Sequence, residues 1–176
     1  FDANTGKILW EHENGEGAAC TQSSAYSDGI LYYGLLNNKF YAFNIKNQKI
    51  IWEKQYKKQK AQMPIIDGEN IIVPCVIEFT NGYDLSIYIY QKKSGKLVRT
   101  VDVKNIPLNE FFAYNGKMYL INLDKNLIII DYVQNKREEI KLNLNKYYFT
   151  SIIGLKNSLI FVGTKELFLY SIQEKK

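Results

Sequence analysis

Few side chains in this sequence have the type and spacing that catalysis or metal binding requires. The single histidine, His12, lies between Glu11 and Glu13, and an imidazole with two carboxylates could ligate a divalent metal. Alternate residues of a strand face opposite ways, however, so His12 would be separated from both glutamates in an extended chain. We therefore expect a solvated strand end at this place, with no catalytic or metal role.

The cysteines and aspartates do not assemble a reactive site in the sequence either. Cys20 and Cys75 have no zinc-ligand spacing and are predicted to be buried thiols rather than a bridge. Most aspartates lie in or beside predicted turns, where a carboxylate caps its own backbone. They are Asp2, Asp28, Asp67, Asp84, Asp124 and Asp131. No dense set of oxygen ligands for calcium stands out, and we predict no cofactor and no metal.

The sequence is organised by a phrase that recurs at intervals of 42, 47, 40 and 40 residues. It reads Phe-Asp-Ala-Asn-Thr-Gly-Lys-Ile-Leu-Trp at residues 1–10 and Phe-Asn-Ile-Lys-Asn-Gln-Lys-Ile-Ile-Trp at residues 43–52. Looser copies begin at Tyr90 and Ile130, and a partial copy begins at Tyr170. Intervals of about 40 residues hold four short strands with their turns, and such self-similarity is typical of repeat architectures.

The segments between the phrases indicate strands that are covered on both faces. Short β-rich runs alternate with turn residues such as Asp28-Gly29 and Asn37-Asn38, and many runs are continuously apolar. We predict an all-β fold, a β-propeller with about four blades of four antiparallel strands in this chain. A β-sandwich is the rival fold, but it predicts no shared internal phrase. The predicted blades span approximately 20–57, 61–103, 108–143 and 147–176, and residues 1–13 form an outer strand of a preceding or closing blade.

The residues of the repeat are predicted to shape turns and to space the blades. Glycine permits the positive φ that tight turns require, and the turn glycines are Gly6, Gly29, Gly68, Gly95 and Gly116. Trp10 and Trp52 each offer a large apolar ring with an N–H that needs a partner, which suits a spacer between blades. The corresponding places in the next two phrases hold Arg99 and Glu139, so we expect this spacer to be lost there.

Residues 29–52 and 1–10 resemble the repeat of the pyrroloquinoline-quinone-like propellers. In that repeat a β-run and a turn precede Leu-Tyr-Ala-Leu-Asp, a variable pair, Thr-Gly-Lys, two residues and Trp. The first copy matches the second half of the pattern with Asp2, Thr5, Gly6, Lys7 and Trp10. The resemblance is strong as far as Trp52 and weaker beyond it.

The resemblance implies one of two kinds of protein. Quinone-dependent dehydrogenases of the family hold the quinone near calcium and often carry a disulfide between adjacent cysteines, whereas Cys20 and Cys75 are far apart. The non-catalytic branch, which includes propeller lipoproteins of the outer-membrane β-barrel assembly machinery, fits the sequence better. We therefore expect a non-enzymatic scaffold for protein partners, among them β-barrel assembly components. A quinone-dependent dehydrogenase and an extracellular sensor or carbohydrate-binding propeller are the alternatives.

The repeat pattern also predicts a larger parent protein. A propeller closes with about four to eight blades, and the sequence begins in the middle of a blade, so we expect part of a propeller of about seven or eight blades. A strand from elsewhere in the parent would complete the last blade, or Ile8–Glu13 would do so if four blades formed a ring. The family placement implies location at the cell envelope, in the periplasm or at the outer membrane. A lipid anchor there would lie upstream of residue 1.

Charge and aromatic content limit the partners. The net charge is +5, but only Arg99 and Arg137 are arginines and the lysines are scattered through turns, so we expect no nucleic-acid site and no anionic-lipid site. The lysine-rich run 54–60 is predicted to be a solvated loop or a protected strand end. No apolar run is long enough to span a membrane. The aromatic residues that we expect to contact a partner are Tyr83, Phe111, Phe112, Tyr147 and Tyr148.

Overall fold

A computed structural model of the chain gives its architecture. It describes residues 2–8, 11, 20–79, 82–106, 111–142, 149–155, 158–163 and 167–171. All regular secondary structure in these residues is β-strand, and none of them forms a helix that could cross a membrane. The prediction of an all-β fold is confirmed.

The strands form four antiparallel sheets that follow one another along the described chain. The first sheet contains β1 (Cys20–Ser27), β2 (Ile30–Leu35), β3 (Lys39–Asn44) and β4 (Lys49–Gln55). The second contains β5 (Lys60–Ala61), β6 (Ile65–Asp67), β7 (Asn70–Phe79), β8 (Gly82–Gln91) and β9 (Leu97–Ile106). The third contains β10 (Phe111–Tyr114), β11 (Lys117–Ile121), β12 (Asn126–Asp131) and β13 (Lys136–Lys141). The fourth contains β14 (Phe149–Leu155), β15 (Ser158–Gly163) and β16 (Leu167–Ser171).

Successive sheets meet along their first strands. Strand β1 contacts β6, β6 contacts β10, and β10 contacts β14. Within each sheet the later strands pair in chain order away from that first strand, except that β5 and β6 both pair with β7. The first strands therefore line one side of the assembly and the last strands form its outer edge, as in radially stacked blades.

The apolar core lies between the sheets, because each inner sheet is covered on both faces. Along β8, Ile87 and Ile89 pack towards the third sheet, with Met118 and Ile128 among their neighbours. Tyr90 on the same strand packs towards the first sheet. This two-sided burial explains why the strands read as continuous apolar runs instead of alternating apolar and polar residues.

The second sheet is longer than its neighbours. Strands β7, β8 and β9 have ten residues each, whereas β2 and β3 have six. Four extra residues per strand extend the sheet by about 13 Å. The β7–β8 ladder continues to the pair Phe79–Gly82, so the backbone of Tyr83 lies in β8. Residues of high β propensity on both sides of the turn favour this longer hairpin.

Candidate interaction surface

The turn inside each phrase is held by side chains of the phrase itself. In the first copy, the carboxylate oxygen Oδ1 of Asp2 accepts hydrogen bonds from the backbone N–H groups of Asn4 at 3.0 Å and Thr5 at 2.8 Å. The hydroxyl Oγ1 of Thr5 accepts the N–H of Lys7 at 3.4 Å. Gly6 completes the turn with a φ of 67°. An acceptor side chain, a hydroxyl, a residue with positive φ and a lysine therefore follow one another in this turn and define its shape.

The later copies build the same turn with other side chains. Asn44 Oδ1 accepts the N–H groups of Lys46 and Asn47, Ser94 Oγ accepts that of Lys96, and Asp131 Oδ1 accepts those of Val133 and Gln134. The left-handed position is held by Gln48, Gly95 and Asn135. Each turn ends on an exposed lysine, namely Lys7, Lys49, Lys96 and Lys136. The expectation that Asp2 and Asp131 cap their own backbone is confirmed.

A β-bulge after the second turn aims Trp52 at the next sheet. Phe43 pairs with Ile50 and Ala42 pairs with Trp52, so Ile51 is the extra residue of the bulge. In a regular ladder Trp52 would lie opposite Tyr41, whose side chain is on the other face of the first sheet. The bulge therefore moves the indole to the face that packs on the second sheet.

Trp52 docks on the turn of the following phrase. Its indole Nε1 donates a hydrogen bond to the backbone oxygen of Lys92 at 3.0 Å, and the hydroxyl of Tyr32 donates to the same oxygen at 3.1 Å. A Cβ on Gly95 would lie 2.7 Å from the indole ring, so only glycine lets the turn approach this closely. Trp52 thus joins the first two sheets with both apolar contact and a directed hydrogen bond.

The corresponding places in the next two phrases behave differently. Arg99 keeps the bulge, with Val98 as the extra residue, but its guanidinium Nη1 is buried without a hydrogen-bond partner among the described residues. Glu139 lies in a regular ladder with no bulge and accepts a hydrogen bond from Asn126 Nδ2 at 2.8 Å. The third sheet has therefore lost both the indole and the bulge that aims it.

Two polar contacts connect the sheets near the same turns. The buried ammonium of Lys92 lies 2.9 Å from Asp28 of the first sheet and 3.6 Å from Glu69. The hydrogen bond from Lys92 lowers the pKa of Asp28, and the same bond raises the pKa of Lys92. Charged partners on two sheets therefore stabilise one relative placement of these sheets.

Asp67 makes the corresponding contact between the second and third sheets. Its carboxylate accepts the backbone N–H groups of Asn115 at 2.9 Å and Gly116 at 2.7 Å, and the hydroxyl of Tyr132 at 2.5 Å. Burial, followed by this bond to Asp67, raises the pKa of Tyr132 above its usual range. We predicted that Asp67 would cap its own turn. That was wrong, because its carboxylate oxygens accept hydrogen bonds from residues of the third sheet.

The segment between the first two sheets is partly buried. Tyr56 and Gln59 are 4% and 8% exposed, so the prediction of a solvated loop or an edge-protecting strand end fits the exposed Lys57 and Lys58 but not these two residues. Cys75 is a free, buried thiol beside them, and burial raises its pKa well above the usual range. Because the thiol stays protonated in this apolar setting, Cys75 belongs to the packing and not to reactive chemistry.

Exposed lysines and aliphatic side chains recur in and beside the turns that join β3 to β4 and β8 to β9. We call residues 44–51 and 91–98 the basic rim. These two segments contain five lysines and no acidic residue. Four aliphatic side chains of the basic rim are about half exposed, Ile50 at 48%, Ile51 at 41%, Leu97 at 50% and Val98 at 48%. Ile50 lies opposite Phe43, on the face of the first sheet that is turned away from the second, whereas Leu97 lies opposite Tyr90, on the face that is turned towards the first sheet.

The aromatic residues expected to contact a partner have varied settings. Phe111 packs on the core between the second and third sheets. Phe112 packs between the third and fourth sheets, with its ring against the backbone of Gly154. The side chain of Tyr83 and residues Tyr147 and Tyr148 lie outside the described residues, as do His12 and Trp10. A role in partner binding stays a prediction for all five aromatic residues.

Sequence reasoning did not identify several residues that shape the contacts between the sheets. No motif marks Lys92, Asp67 or the bulge residues Ile51 and Val98. The one available signal was the constant place of lysine at the end of the turn in each phrase. Among the described residues there is no group of histidine, cysteine and acidic side chains that could hold a metal ion.

Structural comparisons place the chain among known folds. It is similar to the computationally designed Ika4 protein, with a TM-score of 0.71 at 9% identity over 91% of this chain and 95% of that one. BamB from Moraxella catarrhalis gives a TM-score of 0.63 at 12% identity over 85% of this chain and 42% of that one. Raptor from Chaetomium thermophilum gives 0.67 at 12% identity over 90% and 16%. Together with the sheet order, the likeness to the BamB and Raptor propellers defines the chain as a β-propeller protein.

The family follows from the sequence comparison. The sequence profile of the family described as outer membrane protein assembly factor BamB matches residues 1–105. Since the match covers more than half of the chain, the chain belongs to this family, and the resemblance drawn from the repeated phrase is confirmed. No curated protein matches the chain in a sequence comparison. The chain spans less than half the length of the Moraxella catarrhalis BamB to which it is similar.

Proposed function

We propose that this chain is part of a non-enzymatic propeller scaffold that binds protein partners during outer-membrane protein assembly. The observation that carries the proposal is the match of residues 1–105 to a family of outer membrane protein assembly factors. The proposal includes location at the cell envelope, with a lipid anchor outside these 176 residues. It assigns no reaction to the chain.

The contacts between the sheets support a scaffold. Trp52 and Gly95 take part in these contacts, and so do Lys92 and Asp67. A rigid stack of sheets can then present the segments that do not repeat, and binding residues are concentrated in such segments. We therefore expect the binding surface where the structure of one blade differs from that of the other blades.

The second sheet provides such a departure. The hairpin of β7 and β8 continues beyond the length of its counterparts, to Phe79 and Gly82, and β9 is extended beside it. The Trp52 docking contact lies at the opposite end of the second sheet, beside Lys92 and Gly95. We assign the partner contact to the extended hairpin, which includes Tyr83.

A shortened hairpin tests this assignment. Replacing Glu78–Tyr83 by Asn-Gly puts the two-residue turn between Ile77 and Asp84, a cross-strand pair of the same class as Phe79–Gly82. The complete protein, tagged, cross-linked in its own cells and purified, is expected to recover β-barrel assembly components. The shortened variant should lose most of this recovery while keeping the circular dichroism spectrum and elution volume of the wild type. Lys136→Ala, at an exposed turn of the third sheet, is the control that should change nothing.

The complete protein also allows a test that distinguishes a scaffold from a quinone-dependent dehydrogenase. A ligand that binds only the folded state raises stability by about 2.7 kcal/mol at a hundredfold excess over its dissociation constant. We expect no rise in melting temperature when pyrroloquinoline quinone and calcium are added together. A rise that needs both, with no assembly component recovered after cross-linking, would overturn the proposed function.

A further inference from the structure

The turn between β10 and β11 contains the pair Asn115–Gly116, which can react without an enzyme. A glycine nitrogen can attack the side chain of a preceding asparagine, because glycine has no side chain to hinder the approach. The Gly116 nitrogen would lose its proton and bond to Cγ of Asn115, while Nδ2 leaves as ammonia. Water then opens the succinimide ring to aspartate or isoaspartate. Deamidation therefore needs an exposed asparagine and a glycine N–H that is free to react.

The fold requires both residues of this pair. Asn115 and Gly116 have φ values of 52° and 78° and form a tight turn between the paired residues Tyr114 and Lys117. Asparagine and glycine are the residues that adopt positive φ most readily, so they suit such a turn. A Cβ on Gly116 would also lie 2.8 Å from Cγ2 of Val133. The chain therefore keeps a chemically labile pair at a place where few other residues fit.

The reactive N–H of the pair is held by the second sheet. The N–H of Gly116 donates to Oδ2 of Asp67 at 2.7 Å, and the N–H of Asn115 donates to Oδ1 at 2.9 Å. The backbone oxygen of Gly116 accepts the N–H of Tyr132 at 3.1 Å, so both backbone polar groups of the glycine are engaged. Asn115 itself is exposed to solvent. The exposed asparagine and the following glycine are present, but the glycine N–H is not free.

The charge of Asp67 adds to this protection. Cyclisation requires a Gly116 nitrogen that has given up its proton, and that nitrogen lies 2.7 Å from a carboxylate oxygen. A like charge at this distance disfavours ionisation of the nitrogen. A carboxylate is also far too weak a base to take the proton from an amide. Asp67 therefore slows the reaction and does not catalyse it.

We propose that Asn115 is a site of spontaneous deamidation that Asp67 protects as long as the third sheet is docked on the second. When this contact opens locally, the N–H of Gly116 is released and the pair reacts as it does in an unfolded chain. Conversion places a second carboxylate beside Asp67, so the contact is weaker after the reaction. The inference goes beyond the proposed function and does not depend on the partner of the extended hairpin.

Peptide mass spectrometry of the complete protein, incubated at mildly alkaline pH, measures the conversion of the Asn115 amide to a carboxylate. We expect the wild type to convert far more slowly when folded than in urea. Asp67→Ala should raise the rate in the folded protein about tenfold or more, because losing a hydrogen bond to a charged group changes the population of the open turn by about that factor. Asp67→Asn preserves the size of the side chain and should give a smaller rise, since one neutral acceptor oxygen replaces two charged ones.

Two further measurements distinguish this protection from a general loss of stability. Asp28→Ala removes a carboxylate from the contact between the first two sheets and should leave the rate at Asn115 nearly unchanged. Hydrogen exchange of the Gly116 N–H should be slow in the wild type and fast in Asp67→Ala. The proposal is overturned if Asn115 converts as fast in the folded wild type as in urea, or if neither substitution of Asp67 raises the rate. An equal rise in Asp28→Ala and Asp67→Ala would overturn it as well.

Discussion

Replacing Trp52 with alanine should lower the free energy of unfolding by about 3–5 kcal/mol. The indole is 9% exposed and lies among Tyr32, Phe40 and Tyr90, with ring centroids about 6 Å apart. Its loss opens a cavity between the first two sheets and removes the hydrogen bond to Lys92. Urea unfolding followed by circular dichroism measures the change.

The matched control for Trp52 is on the same strand. Ile50 is half exposed, so Ile50→Ala should cost less than about 1 kcal/mol. Gly95→Ala tests the contact from the other side, because it adds a Cβ 2.7 Å from the indole at a residue with a φ of 66°. If Trp52→Ala proved no more destabilising than Ile50→Ala, the indole would not join the sheets as described.

Asp67→Ala is expected to destabilise the protein by about 2–4 kcal/mol, because a hydrogen bond to a charged group contributes a net of about 1.5–3 kcal/mol and the Asp67 carboxylate is only partly buried. The substitution removes one carboxylate that three donors of the third sheet share, two of them backbone N–H groups of Asn115 and Gly116. Asp28→Ala is the comparison, since it removes a carboxylate from an equivalent contact between the first two sheets. Urea unfolding again provides the measurement.

A double-mutant cycle with Tyr132→Phe separates the contributions at Asp67. The hydroxyl of Tyr132 donates to the Asp67 carboxylate, so the two substitutions should be less than additive by about 1 kcal/mol. Additive effects would mean that the Tyr132 hydroxyl does not stabilise the protein through Asp67. The contact between the second and third sheets would then depend on the backbone N–H groups of Asn115 and Gly116 alone.

Much of the architecture could be predicted because it repeats. The interval between the phrases set the length of a blade, and the continuous apolar runs indicated strands covered on both faces. The role of Trp52 as a spacer also followed from its chemistry, since a large ring with an N–H needs both packing and an acceptor. These properties belong to local sequence and to the period, which are visible without coordinates.

The details of docking could not be predicted, because they depend on pairs of residues from different repeats. The bulge at Ile51 is a register shift against β3, and nothing in the residue types requires it. Asp67 appears as an ordinary turn residue until the third sheet brings Asn115 and Gly116 beside it.

The central claim is that the repeated phrase docks one sheet on the next, and acrylamide quenching of Trp52 tests it most directly. The chain has two tryptophans, so Trp10→Phe leaves Trp52 as the only indole. Trp52 emission in this variant should be blue-shifted and quenched far less in the folded protein than in urea. Adding Gly95→Ala should increase the quenching of the folded protein, because the indole is displaced from the turn. Native Trp52 emission as red-shifted and as readily quenched as in urea would contradict the account.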